Sequence, residues 1–266
     1  MRFLFVPLLL SLLISCQSER PTTESVKDTT GDQDRLLMAT LYMQQSAEYR
    51  ALCRQTYRWA TYALQEHLQR NPEQPAIVLD LDETVLDNSP YSAWQILQKE
   101  PYGKESWMEW TALAAADTLP GVGQFLRKAD AMGVAIFYVS NRRVAELDPT
   151  LANLRQFNLP QVDSATVLLR DTTGSKVPRR ATITDQGYDI VMLCGDNLND
   201  FAAVFEDGNG AERKAAVIQH SAKWGTRWIV LPNPTYGAWD GAILQGAYDL
   251  TATQQDSIRK AALRSF

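Results

Sequence analysis

The chain is poor in the residues that most often announce a site on their own. Two of its 266 residues are histidine, His67 and His220. Neither has companions at zinc-ligand spacing, so a histidine-based metal cluster is excluded and both read as isolated surface or core side chains. Its three cysteines, Cys16, Cys53 and Cys194, are too few and too far apart to form a disulfide framework. A bridge between Cys53 and Cys194 has no support, and Cys194, at the end of an apolar run, reads as a small buried hydrophobe. Basic excess is lacking as well: 26 Lys and Arg against 31 Asp and Glu give a formal net charge of -5. That excludes polymeric nucleic acid as a partner and requires any anionic ligand to be held by local cations. No internal repeat is present. The long apolar run at residues 3–14 falls short of the roughly 20 residues that a membrane span needs.

That run does carry a message. In MRFLFVPLLLSLLISC a single Arg precedes the apolar stretch and a small residue ends it, which predicts a secretory signal peptide over residues 1–15. Leu13-Ile14-Ser15-Cys16 resembles the bacterial lipobox, which implies cleavage before Cys16, lipidation of its sulfur and anchorage to a membrane. The alternatives are an ordinary cleaved signal with Cys16 incidental, or an uncleaved anchor. Residues 17–34 are polar and lack aromatics, so residues 16–34 read as a lipidated cysteine and flexible tether.

Residues 35–266 form the globular part. Leu37, Leu41, Ala51, Leu52, Tyr62, Ala63 and Leu64 recur at helical spacing, and Asn71-Pro72 ends that stretch. Near-continuous apolar runs at 76–81, 134–139 and 190–194 predict buried parallel strands, with a weaker fourth at 227–231. Alternating strands and helices predict an α/β sheet. Residues 86–133, rich in Trp and Tyr, read as a helical cap together with the helices of 35–70, leaving 74–85 and 134–266 as the core. Ligands of such sheets bind beyond the carboxyl ends of the strands. Those ends carry Asp80 and Asp82, then Ser140, Asn141, Arg142 and Arg143, then Asp196 and Asp200.

Asp80 and Asp82 lie two apart and share one side of an extended chain, as a nucleophile and a proton donor require. Carboxylates so crowded repel one another. A hard cation such as Mg²⁺, which prefers oxygen ligands, relieves the repulsion at Asp80, Asp82, Asp196 and Asp200. In order along the chain, Asp80-Leu81-Asp82-Glu83-Thr84, Ser140, Lys176 and Gly195-Asp196-Asn197-Leu198-Asn199-Asp200 resemble the four motifs of the haloacid dehalogenase superfamily of phosphatases. The resemblance implies a Rossmann-like parallel sheet with flanking helices and a helical, aromatic-rich cap. It also implies that Asp80 is the nucleophile and Asp82 the general acid/base. Asp80, the backbone carbonyl of Asp82 and Asp196 would ligate Mg²⁺, with Asp200 as a further ligand or beside them. Ser140, Asn141 and Lys176 would hold the phosphoryl oxygens, Arg179 and Arg180 being alternatives to Lys176.

Longer strings narrow the resemblance: YMQQSAEYRAL, LDLDETVLDNSPY, VSNR, GDNLNDF and LPNPTYGAWD are similar to the class C acid phosphatases, bacterial lipoproteins that include 5′-nucleotidases. This implies hydrolysis of phosphomonoesters, nucleoside 5′-monophosphates among them, with Trp107 and Tyr236 sandwiching the base. The alternative for these rings, and for Trp94, Trp110 and Trp239, is packing within the cap. Asn88, Ser89 and Tyr91 read as structural, at the start of a helix. Neither Cys53 nor Cys194 is followed by the C-x5-R loop of cysteine phosphatases, and neither histidine has the Arg-His-Gly context of the histidine acid phosphatases. The lipobox and the resemblance together imply an exported lipoprotein of the bacterial outer membrane or cell surface, for which a homodimer is admissible. The alternative from another class is a catalytically silent surface lipoprotein that binds a nucleotide or cofactor on the same scaffold.

Overall fold

The computed structural model describes residues 33–266. The expected signal peptide, Cys16 and residues 17–32 lie outside that range. Gln33 and Asp34, expected at the end of the tether, belong to a 3-10 turn, Gln33–Leu36, that buries Gln33 and Leu36. Helix α1 (Leu37–Gln45) follows, then α2 (Ala47–Leu68). Between them Ser46 has extended backbone, and its Oγ accepts the Tyr49 amide at 3.0 Å, capping α2.

The chain then enters β1 (Pro75–Leu79). Beyond it come β2 (Leu86–Asp87), α3 (Ser89–Gln98), α4 (Lys104–Ala112) and β3 (Asp117–Thr118), with β2 and β3 paired antiparallel. Next are α5 (Val122–Ala131), β4 (Ala135–Arg143), α6 (Leu147–Gln156), β5 (Val167–Arg170), α7 (Val177–Asp185) and β6 (Asp189–Gly195). The chain closes with α8 (Gly210–Gln219), β7 (Trp228–Val230), α9 (Ala238–Leu244) and α10 (Ala252–Ala261).

Five strands form one parallel sheet in the order β5-β4-β1-β6-β7. Four of them are the strands expected from the apolar runs; β5 is additional, and β4 continues four residues past the expected end at Val139. The continuous apolar character has a direct cause, since side chains alternate between two covered faces. Ile77, Leu79, Ile136, Tyr138, Met192 and Cys194 join one buried cluster with α2, α5 and α6. Ala76, Val78, Phe137, Val139 and Leu193 join the other, with Ile183 of α7, Ala216 of α8 and the aromatic group Phe201, Phe205 and Trp228. Helices α2 and α5, which the sequence reading groups with the cap, thus lie in the layer against the sheet; Tyr57 and Phe125 meet there with ring centroids 5.5 Å apart. Each large side chain buried this way contributes about 1.5–3 kcal/mol.

Cys53 and Cys194 are both buried free thiols in that first cluster. Among the described residues no helix is long and apolar enough to cross a membrane.

Candidate active site

Strand β1 delivers Asp80 to the carboxyl end of the sheet, where its amide donates to the Cys194 carbonyl of β6 at 2.9 Å. The chain then winds tightly: the Leu81 carbonyl accepts the amides of Val85 and Leu86 at 2.8 Å each, and Glu83 takes φ of 55°, in the left-handed region. A non-glycine residue there costs of order 1 kcal/mol or more, which the surrounding hydrogen bonds must offset. The turn packs Asp82, Glu83 and Thr84 beside Asp80.

Strand β6 ends at Gly195, where a Cβ would run into the Asp200 carboxylate. Asn197 begins a 3-10 turn, Leu198–Asp200, and donates its amide to Asp200 Oδ2 at 3.1 Å, so the turn is capped by the same carboxylate that faces the site. Asp80, Asp196 and Asp200 each offer an oxygen within 4.8 Å of the others. Lys176, at the start of α7, reaches into this group, its ammonium meeting Asp200 Oδ1 at 2.6 Å and also Asp80 Oδ1. Asp196 accepts from Asn233 Nδ2 at 2.8 Å.

Electrostatics here are set first by burial. Loss of water pushes the Asp80 carboxyl up to about 7, with Lys176 pulling the other way and Asp200 and Asp82 adding to the rise. Burial, then Asp200 and Asp80, drive Asp196 well above the usual carboxylate range. For Lys176 burial disfavours the ammonium, but Asp200 and Asp80 outweigh it and hold its pKa above the ordinary lysine value. One ammonium is too little charge for three converging carboxylates. Their hard oxygen donors, with this charge deficit, fit a divalent cation at Asp80, Asp196 and Asp200.

Asp82 faces a different set. Its Oδ1 accepts from Arg142 Nη2 at 2.7 Å, Arg142 Nε at 2.9 Å and Asn88 Nδ2 at 2.9 Å, and its Oδ2 accepts from Ser140 Oγ at 3.3 Å. Its carboxylate is therefore engaged away from the carboxylate cluster. Arg142 is 2% exposed, bonds Thr150 Oγ1 at 3.2 Å and lies with its Cζ 5.9 Å over the Trp107 ring. Asn88 also accepts from Trp110 Nε1 at 2.9 Å and caps no helix with its side chain. It stands at the start of α3 as the sequence reading has it, and its side chain belongs to the cleft as well. Asn141 Oδ1 accepts from Arg179 Nη2 at 2.6 Å, and Arg179 also holds the Ser140 carbonyl. Arg180 donates to the Asp200 carbonyl at 2.7 Å. Lys176, and neither of these arginines, is the cation that meets the carboxylates of Asp80 and Asp200.

These groups open onto a cleft of about 440 Å³ whose lining includes Asp80, Asp82, Asn141, Lys176, Asp196, Trp107 and Tyr236. Trp107 is mostly buried, edge-on to Tyr91 at 5.1 Å, whereas Tyr236 is 42% exposed. Every expected site residue among the described ones therefore lies in the cleft or on its supports. Arg142 and Glu83 are the members whose importance sequence reasoning missed; strand alternation from Ser140 was the available signal for Arg142.

Comparison with known proteins places the arrangement. The fold superposes on the crystal structure of the class C acid phosphatase of Bacillus anthracis with tungstate bound at a TM-score of 0.84 and 38% identity, over 88% of this chain and 98% of that one. A second structure of the Bacillus anthracis class C acid phosphatase gives the same TM-score at 39% identity. Among sequences, the chain is 25% identical over 189 residues to a stem 28 kDa glycoprotein of Glycine max, 68% of this chain and 66% of that protein. It is 26% identical over 153 residues to a stem 31 kDa glycoprotein of the same plant, 54% and 52% respectively. The chain thus spans just under two thirds, and about half, of these plant relatives. Residues 6–239 match the family model described as haloacid dehalogenase superfamily, subfamily IIIB (acid phosphatase). With the parallel sheet and acidic cleft described above, the chain belongs to the acid phosphatases of subfamily IIIB in the haloacid dehalogenase superfamily.

Proposed function

We propose that the protein is an acid phosphatase that hydrolyses phosphomonoesters, nucleoside 5′-monophosphates foremost, through a phosphorylated Asp80. The observation that carries this reading is Asp80, held with Lys176, Asp196 and Asp200 at the floor of a cleft whose walls include Trp107 and Tyr236. The tungstate bound in the Bacillus anthracis relative, an oxyanion of phosphate-like shape, supports it.

In the proposed reaction an Asp80 oxygen attacks phosphorus and the ester P–O bond breaks. Asp82, in its acid form, passes its proton to the departing alkoxide, giving the alcohol. Asp82 then takes a proton from water as the water oxygen attacks phosphorus, so that the Asp80–phosphorus bond breaks and inorganic phosphate leaves. Lys176, Ser140 and Asn141 would hold the phosphoryl oxygens, where positioning and charge stabilisation do most of the catalytic work. Asp80, Asp196 and Asp200, with the Asp82 carbonyl, would hold Mg²⁺, which supplies positive charge against the carboxylates and the phosphoryl group. Stacking of a base on Trp107 and Tyr236 would add roughly 1–3 kcal/mol without selecting among bases.

Phosphate release from AMP and p-nitrophenyl phosphate, with Mg²⁺, with EDTA and in Asp80→Asn, tests the reading. Activity is expected with Mg²⁺ alone; turnover indifferent to both EDTA and the substitution would sink it. We also propose export and lipid attachment at Cys16, supported by the lipobox-like segment.

A further inference from the structure

We infer that Glu83 is a positioning residue for the substrate's non-phosphate part, acting by tethering the Tyr236 ring through its phenol to the backbone turn that carries Asp80 and Asp82. This rests on the cleft being the substrate site proposed above. Glu83 is 1% exposed, yet it sits in a loop and has no part in the chemistry assigned to Asp80 and Asp82. A buried carboxylate is costly unless both oxygens are satisfied. Both are: Oε1 accepts the Asn88 amide at 2.8 Å, and Oε2 accepts the Tyr236 hydroxyl, 153 residues away in sequence. The left-handed backbone at Glu83 turns its side chain to this task, which a regular extension of β1 would not do.

The other end of the tether is equally prepared. Asn233 Oδ1 accepts from the Thr235 amide at 2.9 Å and the Thr235 hydroxyl at 2.6 Å, forming a tight loop just before Tyr236. Asn233 Nδ2 donates to Asp196 at 2.8 Å. The segment bearing Tyr236 is thus attached twice to the acidic floor, once at Asp196 and once at Glu83. Tyr236 is 42% exposed and lies outside any helix or strand, so no backbone ladder holds its ring in place. The hydrogen bond between the phenol and the buried Glu83 carboxyl group supplies that fixation. An aromatic platform held in place in advance binds a flat ligand better than a mobile one.

The test is calorimetric titration of the full protein with adenosine, which has no phosphate to lose, and with inorganic phosphate, alongside kinetics on AMP and on the ringless ester glycerol 3-phosphate. The variants are Tyr236→Phe, Glu83→Ala, their double, and Glu83→Gln, whose amide can still meet both the Asn88 amide and the phenol. Tyr236→Phe and Glu83→Ala are each expected to weaken adenosine about fivefold or more, the loss of one hydrogen bond. The double should be no worse than either single change, Glu83→Gln should recover most of the affinity, and inorganic phosphate should be affected less. On AMP the change should fall on KM more than kcat and exceed that on glycerol 3-phosphate. Additive losses, equal losses on adenosine and phosphate, or absence of adenosine binding in the unaltered protein would each overturn the inference. Absence of phosphate release from AMP would instead overturn the phosphatase reading, and the adenosine titration would still decide for or against the Glu83 tether.

Discussion

Burying a guanidinium is costly unless it is partnered, and each of the three nitrogens of Arg142 has a partner among Asp82, Thr150 and Asn88. Two of its nitrogens converge on one oxygen of Asp82, which fixes the direction in which that carboxylate points. Arg142→Ala is therefore expected to lower kcat on AMP about a hundredfold, the scale of a general acid/base group, with little change in KM. It should also lower the free energy of unfolding by about 3 kcal/mol, as for a buried pair left with one partner. Urea unfolding and steady-state kinetics check the two effects. Arg142→Lys should recover part of the stability and little of the rate, since an ammonium is a point charge without the planar fork. Unchanged kcat in Arg142→Ala would show that Asp82 needs no such guide. Arg142 was visible in VSNR, yet the reading ended the strand at residue 139. With β4 running on to Arg143, alternation puts Ser140 and Arg142 on one side, both buried, and Asn141 on the other, exposed at the cleft.

At the level of elements, legibility tracked length and two-sided burial. The runs that became β1, β4 and β6 were readable because both faces are covered, which makes the sequence apolar without interruption. Strand β5 has four residues in the pattern VLLR, and β2 and β3 have two each, too short for any periodicity to register. The acidic residues at strand ends were legible from spacing. The links among Asn88, Glu83 and Tyr236 were not, because they depend on how far loop side chains reach across the cleft. One strand end carries a sharp test. Gly195→Ala places a methyl group where the Asp200 carboxylate lies, so that carboxylate must leave Lys176 and the Asn197 amide. The half-saturating Mg²⁺ concentration for activity is expected to rise about tenfold or more, as when a metal's supporting contacts are removed. A titration of activity against Mg²⁺ reads this directly, and an unchanged midpoint would separate Asp200 from cation binding.

For the molecule as a whole, the proposed cation site at the converging carboxylates would make folding and cation binding one equilibrium. On that proposal, a hundredfold excess of Mg²⁺ over its dissociation constant would add about 2.7 kcal/mol to stability and raise the melting temperature by roughly 5–10 °C in a domain of this size. Calorimetric melting with and without Mg²⁺ should show the rise, and Asp196→Asn should lose most of it. The thiols give a second global readout. Burial pushes the Cys53 thiol up to about 11 and raises that of Cys194 as well, so neither offers a thiolate near neutral pH. An aromatic disulfide reagent should therefore find both silent in the folded protein. In guanidinium it should count two thiols when Cys16 is acylated and three when it is not. The 3-10 turn at Gln33–Leu36 has a bearing on how the chain can be trimmed. Gln33, Arg35 and Leu36 line the same cleft as Asp80, so this turn is part of the cleft's wall. A version of the chain starting at α1 would keep every strand of the sheet and open a gap in the wall of that cleft.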